Sequence, residues 1–224
     1  MSRAQFPASR PRPRSAKSDF VVRKTIDRDL DRLAEIHAAC YPDGRTTTSR
    51  LARFTHNPLG TIEAARTVLS EGRIVGHAFL FDTKTSFGGR MVPSVGIATV
   101  GIAPEERGRG FATLLLNALH DEARERGACV SVLHAFRHAF YKRVGYVATS
   151  PTVRARISPR ALPPRSSTGL VTRAAKKGDR KTIEHLYSNS LSTNTGWIAR
   201  SRSYWDELFT NERLHFSVVQ NEDR

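Results

Sequence analysis

A glycine-rich basic turn, RGRGF at residues 107–111, joins an apolar segment to an amphipathic one. Glycine lacks a Cβ atom, so Gly108 and Gly110 would let an anion approach the backbone closely. The apolar segment is typical of a strand, and the segment after Gly110 is typical of a helix, whose first N–H groups have no partner within the helix. Such a turn is suited to bind phosphate, and the sequence therefore predicts a pyrophosphate site here.

Two common phosphate-binding motifs do not fit this turn. A P-loop requires Gly-Lys-Ser/Thr at the helix start, whereas Gly110 is followed by Phe111 and Ala112, with no lysine for the β- and γ-phosphates. The dinucleotide fingerprint requires a third glycine where Thr113 stands, and an acidic residue near the end of the next strand, where the chain has His134. The sequence therefore argues against nucleotide hydrolysis and against a nicotinamide cofactor.

The remaining pattern is Arg/Gln-x-x-Gly-x-Gly/Ala after a strand, which Arg107, Gly110 and Ala112 satisfy. In this pattern the chain resembles the GNAT superfamily of acetyl-CoA-dependent N-acetyltransferases. The resemblance implies that amides of the turn hold the coenzyme A pyrophosphate, while the preceding strand pairs with the pantetheine arm. The implied cofactor-binding residues are Val100, Gly101 and Ile102 in the strand, and Arg107, Gly108, Arg109, Gly110, Phe111, Ala112 and Thr113 in the turn. Taken alone, this short motif also fits an ordinary basic turn that caps a surface helix.

A second motif strengthens the resemblance. Residues 140–146 (FYKRVGY) match the superfamily's closing signature, and Phe136 and Arg137 stand where members line the coenzyme site. Attack of an amine on a thioester expels a thiolate, and a phenol with a pKa of about 10 can protonate it because it is not ionised at neutral pH. We therefore expect Tyr141 to be the general acid. Packing against the helix is the alternative role, which fits Phe140 and Tyr146 better.

The elements that position these motifs can be read from the hydrophobic pattern. We expect an α/β (α+β) protein with the GNAT order of elements and a mixed central sheet. In helix 110–126 we expect Phe111, Leu114, Leu115, Ala118, Leu119 and Glu122 or Ala123 to be buried, and Asn117, His120, Asp121, Arg124 and Glu125 to face water. The predicted elements are a strand at 20–23, a helix from Asp27 or Asp29, a helix over 47–55, strands at 61–70, 73–85 and 91–103, a helix over 110–126, a strand at 129–134, a short helix with Tyr141 and a strand from Tyr146.

After a linker at 159–168 rich in proline and serine, the sequence starts over. Aligning Arg23 with Arg173 places Asp29 on Asp179 and repeats the transition from strand to helix, although chance remains an alternative. A helix over 197–209, a strand at 214–219 and a turn at 220–223 are predicted to follow. In this tandem arrangement the chain resembles the enhanced intracellular survival family of GNAT acetyltransferases. The predicted domains are a GNAT domain at 20–158 and an incomplete, degenerate second GNAT-like domain at 169–224.

Transfer to a primary amine requires the amine to be neutral, because an amine with a pKa of about 10.4 is mostly protonated at pH 7. The resemblance implies that the base is a carboxylate at the end of a C-terminal domain, and the sequence ends before such a domain. His134 is a weak substitute, since a histidine in that position is more often structural. Glu105 and Glu106 flank the turn and are expected to be solvated charges.

The amine pocket is implied at the end of the first helix. Tyr41 and Asp43 match an aromatic-x-acidic pair that lines this pocket in the resembled family. Asp43 would hold a cationic amine, and Tyr41 would stack on it. Without the resemblance, a plain turn at Asp43 and Gly44 is the better interpretation.

The net charge of the chain is also compatible with a nucleic-acid-binding protein. Its 36 Lys and Arg against 21 Asp and Glu give a net charge of +15, which suits a nucleic-acid binder as well as an enzyme with a polyanionic cofactor. Much of the excess lies in a basic arm at 1–19, which we expect to be disordered. Because no nucleic-acid recognition signature accompanies the arm, we expect only weak binding of nucleic acid by it.

Composition also predicts the compartment. No secretion signal is present and no segment approaches the roughly 18 apolar residues of a membrane span, so we expect a cytoplasmic protein without membrane contact. Cys40 and Cys129 lack metal-ligand spacing and are expected to be small buried apolar residues. No metal is implied, and a homo-oligomeric state is left open.

The sequence thus predicts an acyltransferase that uses acetyl-CoA as cosubstrate. The acceptor would be a primary amine of an aminoglycoside-like small molecule or of a protein lysine. The alternative is a non-catalytic, truncated GNAT relative with a coenzyme-binding or regulatory role.

Overall fold

The computed structural model describes residues 20–150, 153–161 and 169–221. The predicted arm at 1–19 lies outside these ranges, as does most of the predicted linker. The described chain contains a five-stranded sheet with helices packed on both faces, followed by a two-stranded sheet near the C-terminus. None of the described helices is long and apolar enough to cross a membrane.

The five-stranded sheet is mixed, as the sequence predicts. Its strands are β1 (Phe20–Lys24), β2 (Ala65–Ser70), β3 (Arg73–Phe87), β4 (Arg90–Ile102) and β5 (Val130–Val132), and they lie in this order. All neighbours are antiparallel except β4 and β5, which are parallel. The parallel pair needs a crossover, and the long helix between β4 and β5 supplies it.

Helices cover both faces of this sheet. They are α1 (Leu30–Cys40), α2 (Thr47–Thr55), α3 (Phe111–Glu125) and α4 (His138–Arg143). Successive side chains of β3 point to opposite faces. Phe79 and Phe81 therefore pack with Leu33 of α1 and Phe54 of α2. On the other face, Leu80 packs with the buried side of α3. The continuous apolar run of β3 follows from this burial on both faces.

Helix α3 matches its predicted bounds closely, but two of its residues lie elsewhere than expected. Leu116 is 0% exposed and was not predicted to be buried. His120, predicted to face water, is half-buried because its Nε2 lies 3.0 Å from the hydroxyl of Tyr146. The segment after α4 therefore covers one side of α3, although the hydrophobic periodicity of α3 predicts that this side is exposed.

A β-bulge interrupts the pairing of β3 with β4. Ala98 is opposite Phe79 and Gly101 is opposite His77, so Thr99 and Val100 share one position on the partner strand. Thr99 has a φ of 48°, which is rare for a β-branched residue. On the other side, β5 pairs with β4 only from Ser94 to Gly96. After Gly96 the edge of β4, including the bulge, is therefore not paired with β5.

The C-terminal part has the same order of elements as the beginning of the chain. It contains β6 (Leu170–Ala174), α5 (Arg180–Ser190), α6 (Arg202–Thr210) and β7 (Ser217–Asn221), with β6 and β7 antiparallel. This strand–helix–helix–strand order is also that of β1, α1, α2 and β2. It supports the proposal that residues 169–224 begin a second, degenerate copy of the first domain.

The same ion pair recurs in both parts. Arg23 donates hydrogen bonds of 2.6 and 2.9 Å to Asp29, and Arg173 donates bonds of 2.6 and 3.0 Å to Asp179. In each case the aspartate also accepts a bond from a backbone N–H three residues before it. We call each of these arrangements an arginine clasp. It ties the end of a strand to the start of the following helix.

Several predicted boundaries in the second part are wrong. The helix predicted from residue 197 begins at Arg202, because residues before it bind the β3–β4 hairpin: Ser86 N–H donates to the carbonyl of Trp197 at 2.8 Å. The strand predicted at 214–219 spans Ser217–Asn221. Gln220 and Asn221, predicted as a turn, continue β7 because they pair with β6.

Two further predictions are wrong in the first part. No strand begins at Tyr146 among the described residues, where the hydroxyl of that residue instead hydrogen-bonds Ser131 at 2.5 Å. Cys129 was expected to be buried, but it is exposed, since it lies in the turn between α3 and β5. Cys40 is half-buried at the end of α1.

Candidate active site

A cavity of about 630 Å³ lies where β4 separates from β5. Its walls come from the end of β4, the N-terminus of α3, the α4 segment and the end of α1. The lining residues are Cys40, Tyr41, Val100, Ile102, Glu106, Arg107, Gly108, Gly110, Phe111, Ala112, Thr113, Phe136, Arg137, Phe140 and Arg143. Most residues that the sequence analysis assigned to the coenzyme therefore meet at one cavity. Gly101, Arg109, Asp43 and Tyr141 are not part of this lining.

The turn before α3 presents a series of unpartnered backbone N–H groups. Gly108 and Gly110 have φ values of 80° and 87°, which L side chains rarely adopt. Within the described residues, no acceptor binds the N–H groups from Gly108 to Ala112, whereas Thr113 and Leu114 donate to the carbonyl of Gly110. A Cβ atom at either glycine would meet nothing within 4 Å. The space in front of these amides is open, as an anion site requires.

Unpaired arginines increase the positive potential of the cavity. Arg107 donates to the carbonyl of Ile102 at 3.3 Å and reaches the Sγ of Cys40 at 3.4 Å. Arg143 stacks on Phe140 with its guanidinium carbon 5.9 Å from the ring centroid. In the part of the chain that is described, no acidic side chain pairs with Arg107, Arg137 or Arg143. These guanidinium groups are free to bind phosphate.

The acidic residues beside the turn do not oppose this charge. Glu106 was expected to be solvated, but it is 5% exposed and forms ion pairs with Arg73 and Arg109. The prediction failed because Glu106 is buried in these two ion pairs, while the arginines themselves stay partly exposed. Glu105, in contrast, is exposed and pairs with Arg32 at 2.7 Å.

The end of β4 is held in place from the α1 side. The hydroxyl of Tyr41 donates to the carbonyl of Val100 at 3.0 Å, and the thiol of Cys40 donates to the carbonyl of Ile102 at 3.3 Å. Gly101 lies between these residues, and a Cβ atom there would be 3.0 Å from Nε2 of His77. Gly101 thus serves close packing inside the protein, while Val100 and Ile102 line the cavity.

Tyr141 lies next to the cavity lining. Its side chain is 4% exposed and packs edge-to-face against Phe136 and Phe140, with ring centroids 5.8 and 5.0 Å away. Burial, with Tyr41 and Tyr146 as further causes, raises its pKa to about 12. No described residue hydrogen-bonds its hydroxyl. Tyr146, by contrast, hydrogen-bonds Ser131 and His120. Tyr141 is therefore a protonated phenol, and among the described residues its hydroxyl hydrogen is donated to no acceptor.

The two predicted amine-binding residues differ in placement. Tyr41 lines the cavity and stacks on His37 at 4.8 Å. Asp43 is outside the lining, and it accepts from Arg50 at 3.0 Å and pairs with Arg45 at 3.1 Å. These two guanidinium groups already compensate its charge. His134, the substitute base, is exposed after β5 and does not line the cavity.

A buried polar cluster behind Tyr41 was not predicted. Arg50 is 4% exposed and donates to Nδ1 of His37 at 2.9 Å and to the carbonyl of Tyr41 at 3.1 Å. Since a guanidinium can only donate, His37 accepts at Nδ1 and is neutral. Burial and the charges of Arg53 and Arg50 lower its pKa to about 4. The available signal was that His37 follows Leu33 and Ile36 on the apolar side of α1.

His77 on β3 is the second unpredicted histidine. It is 0% exposed, and neither ring nitrogen has a partner within the described residues. Its ring stacks on His37 at 5.9 Å and contacts Phe54 at 5.4 Å. Burial and His37 lower its pKa to about 3, so it is neutral. Within the described ranges, no group of three or more His, Cys, Asp or Glu residues is placed to hold a metal ion.

Comparison with known proteins agrees with this geometry. The sequence model of one family, described as an acetyltransferase (GNAT) domain, matches residues 21–149. N-acetyltransferase Eis of Mycobacterium bovis is 29% identical over 146 residues, which make up 60% of this chain and 36% of that protein. The residues that the family model matches include nearly all of the five-stranded sheet and the whole cavity lining.

Solved structures show the same fold. A GCN5-related N-acetyltransferase from Anabaena variabilis has a TM-score of 0.72 at 22% identity, covering 92% of this chain and 52% of that one. Eis1 from Mycobacterium abscessus has a TM-score of 0.60 at 20% identity, covering 91% and 51%. The chain thus spans about half the length of these solved relatives.

Proposed function

Because the chain belongs to the GNAT family of N-acetyltransferases, we propose that it transfers the acetyl group of acetyl-CoA to a primary amine. One observation carries this proposal: the unpartnered N–H groups from Gly108 to Ala112 face a cavity with unpaired arginines. Together they fit a pyrophosphate, because backbone donors and guanidinium groups both bind phosphate oxygens.

The residues present fit acetyl-CoA, which supplies the acetyl group as a thioester. The amides of Gly108 to Ala112 would bind the pyrophosphate, with Arg107, Arg137 and Arg143 adding positive charge. Val100 and Ile102, on the edge of β4 that β5 leaves unpaired, would lie along the pantetheine arm. Phe136 and Phe140 give this part of the cavity an apolar surface.

Tyr141 is proposed as the proton donor. When the amine attacks the thioester carbonyl, the bond between carbon and sulfur breaks and the sulfur leaves with the electron pair. The hydroxyl of Tyr141 would donate its proton to that sulfur, and the proton that the attacking nitrogen loses would restore the phenol. A pKa of about 12 keeps the phenol protonated at neutral pH, and no described group competes for its hydrogen.

The acceptor would approach from the side of Tyr41. We propose a primary amine on an aminoglycoside-like small molecule or on a protein lysine. In either case the amine must lose its proton before it attacks, since its lone pair forms the new bond.

A second candidate is a GNAT protein that binds the coenzyme without turnover. This candidate is favoured because the nearby carboxylates are already bound by arginines. Glu106 is buried in two ion pairs, and Asp43 pairs with two arginines. Neither is free to take a proton from the amine.

Calorimetric titration with acetyl-CoA tests the proposal, and we expect saturable binding. Release of free thiol on adding amines then separates the enzyme from the coenzyme-binding protein. A folded protein, as judged by circular dichroism, that binds no acetyl-CoA at millimolar concentration would sink both candidates.

A further inference from the structure

The chain that leads away from Tyr41 is rich in arginine. Between residues 41 and 56 it contains Arg45, Arg50 and Arg53, and Asp43 is its only carboxylate. This segment forms the loop after α1 and the whole of α2, next to the cavity wall at Tyr41. Tyr41 is the residue of this segment that lines the cavity, on the side from which the acceptor is proposed to approach.

Two of these arginines are fully engaged by the protein. Arg50 donates to the carbonyls of Tyr41 and Arg45, to His37 and to Asp43 at 3.0 Å. Arg45 pairs with the same aspartate at 3.1 Å. Two positive charges therefore share one negative charge, and this part of the loop keeps a net positive charge.

Arg53 has no such partners. It forms no ion pair or hydrogen bond with any described residue, and its Nε is buried without a partner. Burial, followed by the charge of Arg45, lowers the pKa of its guanidinium. The charge of Asp43 offsets part of this effect, but Asp43 is already bound by Arg50 and Arg45. A further bound anion would therefore lower the cost of this half-buried cation.

Arg53 acts electrostatically on the acceptor end of the cavity. Its charge contributes to lowering the pKa of the Tyr41 phenol, against the larger effect of burial. The Tyr41 hydroxyl hydrogen-bonds Val100 at the cavity wall. Tyr41 in turn contributes to the raised pKa of Tyr141. Arg53 is not among the residues that line the cavity, but its charge acts on Tyr41, which lines it.

We propose that Arg53 binds an anionic group of the acceptor, so that the substrate is a primary amine that carries a carboxylate or a phosphate. This inference rests on the proposed function and narrows its acceptor. A polycationic amine would bring further positive charge towards Arg45, Arg50 and Arg53. Asp43 does not offset this, because both arginines beside it already bind it.

A matched series of amines tests the inference. 4-Aminobutyrate, butylamine and 1,4-diaminobutane share one chain length and differ in the charge of the far end. O-Phosphoethanolamine and ethanolamine form a second pair, which separates phosphate from carboxylate. We expect kcat/KM for the better anionic amine to exceed that of its uncharged partner by about tenfold or more, the size of effect typical of a charge-assisted hydrogen bond. 1,4-Diaminobutane should be the poorest acceptor.

Two variants test whether Arg53 causes the preference for anionic amines. Arg53→Gln should abolish the preference for the anionic amine, and Arg53→Lys should keep part of it. Arg28→Gln is the matched control, because it removes one exposed arginine before α1. Equal preference in the wild type and Arg53→Gln, or a wild type that prefers 1,4-diaminobutane, would overturn the proposal. If Arg53→Gln does not fold, the comparison of the amines in the wild type and in Arg53→Lys still tests the proposal.

Binding measurements keep this test separate from the proposed function. Titration of the same amines into the protein with saturating coenzyme A, or without it if the coenzyme does not bind, needs no turnover. Absence of acetyl-CoA binding and of thiol release would refute the acetyltransferase. Equal binding of 4-aminobutyrate and butylamine, and of the phosphate pair, would refute the anion site alone.

Discussion

At the scale of single residues, the two tyrosines at the end of the closing motif differ in what their hydroxyls do. Tyr146 hydrogen-bonds Ser131 and His120, so its proton is engaged in holding the chain against α3. The hydroxyl of Tyr141 has no partner among the described residues, and its ring is buried beside the cavity. The pair therefore offers a test of catalysis with an internal control.

Tyr141→Phe should lower kcat by about 10²–10⁴-fold, because removal of a general acid typically costs that much. The affinity for acetyl-CoA should stay the same, since the ring and its packing remain. Because the pKa is about 12, phenol ionisation should not reduce wild-type kcat below about pH 10. Tyr146→Phe should keep kcat and lower the free energy of unfolding by about 1 kcal/mol. Equal losses of kcat in both variants would contradict the assignment.

The buried histidines predict sensitivity to acid. Their pKa values are about 4 for His37 and about 3 for His77, below the ordinary value of 6.5. Between pH 6.5 and these values the unfolded chain binds protons that the folded protein does not, so stability falls as pH falls through this window. Each histidine should reduce the free energy of unfolding by about 2 kcal/mol at pH 5.

Urea unfolding at pH 7.5 and pH 5 checks this expectation. His77→Leu removes the titrating group at similar volume and should lose less stability between the two pH values. Replacing the exposed His138 with Gln is the control and should leave the pH dependence as it is. If His77→Leu loses as much free energy of unfolding between pH 7.5 and pH 5 as the wild type, His77 is not the cause of the acid sensitivity.

These residues also show what sequence can and cannot predict. The turn at 107–113 and Tyr141 belong to local motifs whose spacing is visible in the chain. Arg53 and His77 acquire their properties from burial, which depends on segments distant in sequence. Asp43 illustrates the opposite case: its motif is visible, but Arg45 and Arg50 surround it in the fold.

At the scale of elements, the cavity depends on the bulge in β4 and on the N-terminus of α3. The short β5 pairs with β4 only as far as Gly96, the bulge at Thr99 and Val100 lies in the unpaired end of β4, and the turn presents free amides to that gap. The bounds of α2, α3 and β3 were close to those predicted, because hydrophobic periodicity is a local property. In contrast, β2 begins at Ala65 and not at residue 61, and β5 spans only Val130–Val132 of the predicted 129–134. The bulge was not predicted, since nothing in a run of β-branched and small residues marks where pairing shifts.

The two ends of α3 allow a matched test of the turn. Gly110 and Gly127 have φ values of 87° and 75°, and a Cβ atom at either meets nothing within 4 Å. Alanine at each should therefore introduce a similar strain of about 1–2 kcal/mol. Gly110→Ala should also weaken acetyl-CoA binding by tenfold or more, as measured by calorimetry, because its methyl group enters the phosphate site. Gly127→Ala should bind the coenzyme as the wild type does.

At the scale of the whole molecule, the net charge of +15 is divided between the cavity, the α2 segment and the terminal arm. The arm, with Arg3, Arg10, Arg12, Arg14 and Lys17, should contact polyanions independently of the site. Deleting residues 1–18 should therefore reduce duplex DNA binding and its salt dependence, and leave acetyl-CoA affinity unchanged. Filter binding at several salt concentrations, beside calorimetry, checks both. Undiminished DNA binding after the deletion would place the contact on the folded domain.

The arginine clasp has a consequence for how this chain reaches its native pairing. β1 pairs with β2 and β6 pairs with β7, both antiparallel, so each clasp stands at the end of a strand that pairs in the same sense. The hydroxyls of Thr25 and Thr67, 2.8 Å apart in a buried contact, distinguish the first of these pairs, because the second part has Ala175 at the position that corresponds to Thr25. We expect this contact to favour β1 over β6 as the partner of β2 during folding, a competition within one chain that dilution would not suppress.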